Sequence, residues 1–210
     1  MGIEVRGFEL GPFQVNTYVL SWEASAWVID PSLDSEPLVD WLAGQRLDVQ
    51  RILLTHGHGD HIAGIELLRK RWPGLKVVCP RGDAFMLPDP MANLSGAFGM
   101  ALRVAPADEL VEGGAILRGE GFELDVLDTA GHTPGGVSFL WREKGLVFTG
   151  DALFAGSIGR TDFPGSDHSR LIESIRRNLF SLDDATQILP GHGPASTIGQ
   201  ERRTNPFLQG

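Results

Sequence analysis

The sequence predicts a layered α/β protein, and three observations carry that prediction. Apolar runs of strand length alternate with segments of helical periodicity along the whole chain. The composition, 42% hydrophobic and 21% charged over 210 residues, is that of a globular domain rather than a disordered or disulfide-stapled chain. Glycine is in excess, 27 of 210 residues or about 13% against a usual ~7%, which calls for many sharp loops between the elements.

Three strands open the chain at 3–10, 17–22 and 26–30, the last running into Asp30-Pro31 as a turn. Segment 35–46 places Leu38, Val39, Trp41 and Leu42 at helical spacing, with Ser35 as its N-cap. A short apolar strand at 51–55 precedes a helix at 60–72, where Ile62, Ile65, Leu67 and Leu68 recur before Pro73-Gly74 stops it. Strand 76–79 ends at Cys79, read as a small core residue. The stretch 80–106, with Pro88, Pro90, Gly96 and Gly99, is predicted as a loop holding one short helix. Strands return at 115–117, 122–128, 137–141 and 146–149. An amphipathic helix follows at 167–182, with Leu171, Ile172, Ile175, Leu179 and Phe180 on its apolar side and Asp167 at its start. A last strand at 187–189 leads into Pro190-Gly-His192-Gly-Pro194. No linker, low-complexity run or short-period repeat interrupts this order, so a single domain over 1–210 is expected.

Charge and cysteine content narrow the function classes. Twenty-seven acidic against eighteen basic residues leave a net charge of −9, which disfavours a nucleic-acid binder or a protein held on an anionic membrane. No stretch approaches the ~20 apolar residues of a membrane-spanning helix. The first residues alternate apolar and charged side chains and lack a signal-peptide core, and Cys79 is the only cysteine, so a reducing, cytoplasmic location is expected.

Three of the six histidines fall in His56-Gly-His58-Gly-Asp60-His61, between a predicted strand and a predicted helix. Imidazoles two apart on an extended turn can converge on one cation while Asp60 and His61 swing to its other side, and nitrogen with carboxylate donors suits zinc, iron or manganese. Three further candidates, His132, Asp151 and His192, each follow a predicted strand end and each have glycine immediately before them. Ligands gathered at strand ends from distant parts of the chain are a common way for α/β folds to build a site. Seven donors exceed one tetrahedral metal and suit two metals sharing a carboxylate. His168 lies outside these motifs and is read as solvated; the five tryptophans are read mostly as packing residues.

The ordered set His56-x-His58-x-Asp60-His61, His132, Asp151 and His192 resembles the metallo-β-lactamase superfamily over nearly the whole chain. Within it the likeness is to the glyoxalase II, or hydroxyacylglutathione hydrolase, type. Gly131-His-Thr-Pro-Gly-Gly, Gly150-Asp-Ala-Leu-Phe, Gly159-Arg-Thr-Asp-Phe-Pro-Gly and Glu201-Arg-Arg-Thr-Asn-Pro-Phe carry it. The resemblance implies a four-layer αββα sandwich with His56, His58 and His132 on one metal, Asp60, His61 and His192 on a second, and Asp151 bridging. It implies two divalent ions, zinc first, with iron or manganese as alternatives. Arg160 matches the family's basic residue near the thiol-bearing substrate. Only eighteen residues follow His192, and Tyr18 is the only tyrosine, so the C-terminal helical region and the glutathione-contacting tyrosine of full-length glyoxalase II have no counterpart here.

Two metals lower the pKa of a shared water toward ~7 and so supply a hydroxide at neutral pH, which Asp60 and Asp151 can position. The expected reaction is hydrolysis of small thioesters such as S-lactoylglutathione. The sequence also resembles persulfide dioxygenases, which use one iron to oxidise glutathione persulfide and share a Gly-Arg-Thr-Asp-Phe segment; this is the alternative. Thr133 or Asp128 are candidates to orient ligand imidazoles, and Asn16 is either a turn residue or a neighbour of the metals.

Overall fold

In the computed structural model, which describes residues 2–209, the opening strands pair as antiparallel neighbours: β1 (Glu4–Leu10), β2 (Val15–Trp22) and β3 (Ser25–Ile29). Two crossovers then place β4 (Asp48–Leu53) and β5 (Lys76–Pro80) parallel to β3. The first passes through α1 (Glu36–Gly44), the second through α2 (Gly59–Ile62) and α3 (Ile65–Arg71). Strand β6 (Glu109–Val111) closes a six-stranded sheet in the order β1-β2-β3-β4-β5-β6. Val19, Val28 and Ile52 pack on Leu38, Leu42, Ile65 and Leu68 of the helices, and Cys79 joins this core as expected. These elements form the first of two units, Met1–Cys79 with Ala84–Leu110.

Three expectations are corrected in this unit. The helix expected at 60–72 is two helices, because Gly64 lies against the 31–35 turn and donates its N–H to the Pro31 carbonyl at 2.9 Å. Ser35 stands at the N-terminus of α1 but makes no capping bond; its hydroxyl donates to the Ser32 carbonyl at 2.7 Å instead. Within 80–106, two 3₁₀ turns, Arg81–Met86 and Ser95–Phe98, replace the single short helix expected there. Buried Asn93 braces the later part of that stretch, donating to the Met86 and Leu102 carbonyls and accepting from the Ser95 N–H.

The second unit, Pro80–Asp83 with Val111–Gly210, carries the other six-stranded sheet, in the order β14-β13-β10-β9-β8-β7. Its strands are β7 (Ile116–Gly119), β8 (Phe122–Asp128), β9 (Val137–Trp141), β10 (Leu146–Gly150), β13 (Gln187–Pro190) and β14 (Ser196–Thr197). A small hairpin of β11 (Leu153–Phe154) and β12 (Ser157–Ile158) stands apart from the sheet. The expected 167–182 helix is α4 (His168–Ser174) continued by a π-helical turn, where the Phe180 N–H reaches back five residues to the Ile175 carbonyl. Asp167 caps it, accepting from the Arg170 N–H at 3.0 Å. Leu171, Ile175 and Leu179 pack with Leu140, Val147 and Ile188 of the sheet. Helix α5 (Ile198–Thr204) was not legible in the sequence, since its one-face burial rests on Ile198 and the polar Glu201. No helix among the described residues is long and apolar enough to cross a membrane.

Gly64→Ala tests the helix break. A methyl group there would lie 2.5 Å from Ser35 Oγ and 2.8 Å from the Ser32 carbonyl. The hydroxyl can rotate away but the backbone oxygen cannot, so urea unfolding should show a loss of about 1–3 kcal/mol.

Candidate metal centre

In the first unit, parallel pairing brings the carboxyl ends of β3 and β4 side by side, with Ile29 opposite Leu53 and the Asp30 N–H donating to the Leu53 carbonyl. Asp30 and Thr55-His56 therefore leave the sheet together. The buried Asp30 carboxylate accepts from the Thr55 N–H at 2.8 Å, the Thr55 hydroxyl at 2.6 Å and His61 Nδ1 at 3.1 Å. Because the Thr55 hydroxyl gives its proton to Asp30, its oxygen accepts from His56 Nδ1 at 3.0 Å. One carboxylate thus sets the tautomer of two imidazoles, holding both with Nε2 as the lone-pair nitrogen. Asp30 adopts this position with φ +51°, a left-handed conformation that aspartate tolerates better than most residues.

His56, His58 and His61 are all buried, with ring centroids 4.8 Å apart for the first pair and 4.2 Å for His56 and His61. Asp60 turns its Oδ2 to within 3.7 Å of His61 Nε2. Gly59 packs the turn against its neighbours. Its N–H donates to the Asn93 carbonyl at 2.7 Å, and a Cβ there would stand 3.0 Å from Ser95, so the 93–95 segment props the turn that carries His58 and Asp60.

The second unit builds its set on three strands that end at one edge of the sheet. Strands β10 and β13 are parallel, and β8 runs the same way with antiparallel β9 between. His132, Asp151 and His192 follow β8, β10 and β13, and the Gly191 N–H donates to the Gly150 carbonyl at 2.8 Å, keeping the last two together. Asp151 Oδ2 lies 3.6 Å from His132 Nε2 and 3.5 Å from His192 Nε2, between the two rings. His132 Nδ1 donates to the Arg160 carbonyl at 2.7 Å. A carbonyl can only accept, so Nε2 of the neutral His132 ring is again the lone-pair nitrogen. Gly159 makes this contact feasible: a Cβ would lie 1.9 Å from the Asp151 carbonyl and 2.9 Å from His132 Nδ1.

Each unit therefore repeats one arrangement, an imidazole lone pair facing a carboxylate oxygen, His61 with Asp60 at 3.7 Å and His132 with Asp151 at 3.6 Å. Two electron-rich atoms at that separation repel unless a cation lies between them. Two ligand atoms about 2.1 Å from one zinc ion stand roughly 3.4 Å apart at the tetrahedral angle, so the donor sets fit a divalent metal in both spacing and chemistry. Asp30, His56 and His61 also place ligand-type atoms within 4.8 Å of one another.

The remaining candidates fall as follows. Arg160 is exposed and already paired: its guanidinium grips Asp162 in two bonds of 2.9 and 2.7 Å and stacks 4.5 Å from the Phe163 centroid. The hydrogen bonds of this pair raise the guanidinium pKa above its ordinary value and hold the Asp162 carboxyl below the usual range. Thr133 donates to buried Asp83 at 2.6 Å, and Asp83 also accepts from the Gly135 N–H, fixing the 132–136 loop. Asp128 accepts from the Ala130 N–H, and Asn16 lies within β2 rather than ahead of it. Tyr18 is a core residue whose phenol is pushed up by burial and by the charge of Asp30. His168 is exposed, 3.1 Å from the Thr161 hydroxyl. Asp30 and Asp83 escaped the sequence reading. The one available signal for Asp30 was its place at the end of a strand running parallel to the histidine-bearing one.

The family model of the metallo-β-lactamase superfamily matches residues 10–192, and the chain belongs to that superfamily of metallo-hydrolases, with its αββα fold. It is 38% identical to hydroxyacylglutathione hydrolase GloC of Haemophilus influenzae, over 99% of this chain and 98% of that protein. It is 36% identical to the probable metallo-hydrolase YqgX of Bacillus subtilis, over 98% and 97%. Among solved structures, BLEG-1 B3 metallo-β-lactamase superposes with a TM-score of 0.93 at 38% identity, covering 99% of this chain and all of that one. TTHA1623 in a di-iron-bound form gives 0.85 at 38%, over 97% and 100%, and ETHE1 from Myxococcus xanthus gives 0.81 at 31%, over 97% and 83%.

Replacing the shared acceptor should show how far the first half-site depends on it. Asp30→Asn keeps the shape, but with one carbonyl oxygen it cannot accept from the Thr55 N–H as well as from Thr55 Oγ1 and His61 Nδ1, and its NH2 would face a donor. Zinc affinity, measured by competition with a chromophoric chelator, is expected to fall about tenfold to a hundredfold.

Proposed function

We propose that this chain is a dinuclear metal-dependent thioesterase of the glyoxalase II-like kind, acting on small acyl thioesters such as S-lactoylglutathione. His56, His58 and His132 would hold one divalent ion, Asp60, His61 and His192 the other, and Asp151 both. The observation that carries the metal assignment is the repeated pairing of imidazole lone pair and carboxylate, at His61 with Asp60 and at His132 with Asp151, with His192 Nε2 3.5 Å from the same Asp151 oxygen. Likeness to GloC over nearly the full length of both chains supports the thioester substrate. Bound zinc, or iron or manganese in its place, supplies a water of lowered pKa, polarises the acyl carbonyl and stabilises the departing thiolate.

The chain's own residues have separate tasks. Asp60 and Asp151 orient the attacking water toward the carbonyl carbon. Asp30 and the Arg160 carbonyl keep His56, His61 and His132 in the tautomer that presents Nε2. No protein acid is needed, because a thiolate leaves without prior protonation. The Arg160 guanidinium would meet a carboxylate of the thiol carrier by exchanging it for Asp162. Such an exchange at an exposed pair gains little, so discrimination among thiol carriers is expected to be poor.

The second reading, a mononuclear iron dioxygenase acting on glutathione persulfide, is compatible with the likeness to ETHE1. Elemental analysis of protein purified without added metal, run beside thioesterase and oxygen-uptake assays, separates the two. Two metals with S-lactoylglutathione hydrolysis at high KM, and comparable turnover of other small thioesters, is the expected result. One iron, oxygen consumption with glutathione persulfide and no thioesterase activity would replace it with the dioxygenase.

Ligand replacement and chelation give a second test. His58→Ala or Asp151→Ala should abolish hydrolysis and lower metal content, while His168→Ala changes neither. A metal held only by the native state stabilises it by mass action, so chelation should lower Tm yet leave a folded, inactive protein. Complete unfolding on chelation at room temperature would mark the metals as structural. Arg160→Ala should raise KM only a few-fold (about 2–5), with little change in kcat, because an exposed ion pair is screened by water.

A further inference from the structure

The Glu201-Arg-Arg-Thr-Asn205-Pro-Phe segment resembles the family's tail, yet none of its residues is a metal donor or faces substrate in the reading above. Two of its polar members are nonetheless buried completely. Glu201 and Asn205, at the start and just beyond the end of the exposed Arg202-Arg203 stretch of α5, both have no solvent exposure. A buried carboxylate is costly to keep unless several donors compensate it. Glu201 has them from three separate segments. Oε1 accepts from the hydroxyl of Ser196 in β14, and Oε2 accepts from the Gly156 N–H at 2.8 Å and from Asn205 Nδ2 at 2.9 Å. Asn205 Nδ2 also donates to the Ser157 carbonyl at 3.0 Å.

Gly156 in the turn and Ser157 at the start of β12 make up the far end of the β11–β12 hairpin, and both ends of its chain run to candidate site residues. The chain goes in directly from Asp151 through Ala152 and comes out through Gly159 to Arg160, whose carbonyl takes the His132 Nδ1 proton. The hairpin is only two residue pairs long, Leu153 with Ile158 and Phe154 with Ser157, too short to hold its own shape. We infer that Glu201 and Asn205 are positioning residues: by clamping the hairpin turn they fix the Arg160 carbonyl on His132 and, through the same hairpin, the place of Asp151. The inference rests on the metal-site reading only in taking His132 and Asp151 as ligands.

The chemistry distinguishes acceptor from charge. Glu201→Gln can keep its oxygen toward Gly156 and Asn205 and give an N–H to Ser196, whose hydroxyl then accepts. Glu201→Leu fills the space with no acceptor. Leu179→Ala, a cavity in the same unit's core, serves as the control for general loosening. The measurements are zinc affinity by chelator competition and the hydrogen-bonded His132 Nδ1–H signal in a nitrogen-edited proton spectrum, assigned with His132→Ala.

Glu201→Leu is expected to lose that signal by solvent exchange and to bind zinc at least about tenfold more weakly, in the range seen when the partner of a ligand imidazole is removed. Glu201→Gln should stay near the unaltered protein in both, and Leu179→Ala should lose Tm while keeping both. Unchanged zinc affinity and an unchanged His132 signal in Glu201→Leu would overturn the clamp. So would equal losses in Leu179→Ala, or an unaltered protein with no hydrogen-bonded His132 proton at all. If His132→Ala binds zinc like the unaltered protein, the ligand reading fails instead, and the proton signal still decides the clamp.

Discussion

A neutral imidazole presents a lone pair at Nε2 only while its one proton stays on Nδ1, and the polar architecture of both units holds it there with an acceptor. In the first unit one buried carboxylate, Asp30, does it twice, directly for His61 and through the Thr55 hydroxyl for His56. In the second a main-chain carbonyl, that of Arg160, does it for His132. A carboxylate and a carbonyl are acceptors only, so neither arrangement can reverse. Ring orientation follows from the same bonds, since a planar ring held at Nδ1 has its Nε2 direction set.

The sheets supply what those bonds need. Asp30 reaches Thr55 because β3 and β4 are parallel neighbours whose carboxyl ends coincide. Asp151 lies between His132 and His192 because β8, β10 and β13 all run the same way and end at one edge. Side chains leaving one strand end are loosely placed on their own, so each turn is propped from outside the sheet: Asn93 and Ser95 against Gly59, Asp83 against Thr133 and Gly135, and Glu201 with Asn205 against the β11–β12 turn. These props are polar groups without solvent exposure, whose value lies in fixed direction rather than in burial of apolar surface.

Electrostatics around the Arg160 side chain differ in kind. Arg160 and Asp162 form an exposed bidentate pair, well screened by water, and the guanidinium stacks on Phe163, whose ring stands 6.2 Å from that of His132. Arg160 therefore contributes through two separate atoms. Its carbonyl accepts from the imidazole, while its guanidinium is exposed and paired with Asp162.

Period and punctuation alone located most of this protein. Alternation over 4–10 and 122–128 and the helical spacing in 36–44 appear as written, and the glycine before each of His132, Asp151 and His192 marks the strand ends that bear them. Those signals are local, and the ligand-type residues sit where local signals are strongest. What only the tertiary structure decided are the contacts made at long range. Gly64 breaks a helix whose apolar spacing runs on unbroken, because the 31–35 turn leaves no room for a side chain. Asp30 reads as an ordinary Asp-Pro turn until a parallel neighbour brings Thr55 and His61 to it, and nothing local marks Glu201 as buried until Gly156, Ser196 and Asn205 donate to its carboxylate. A polar residue announces neither its burial nor its partner in sequence, because both depend on which distant backbone the folded sheet brings alongside.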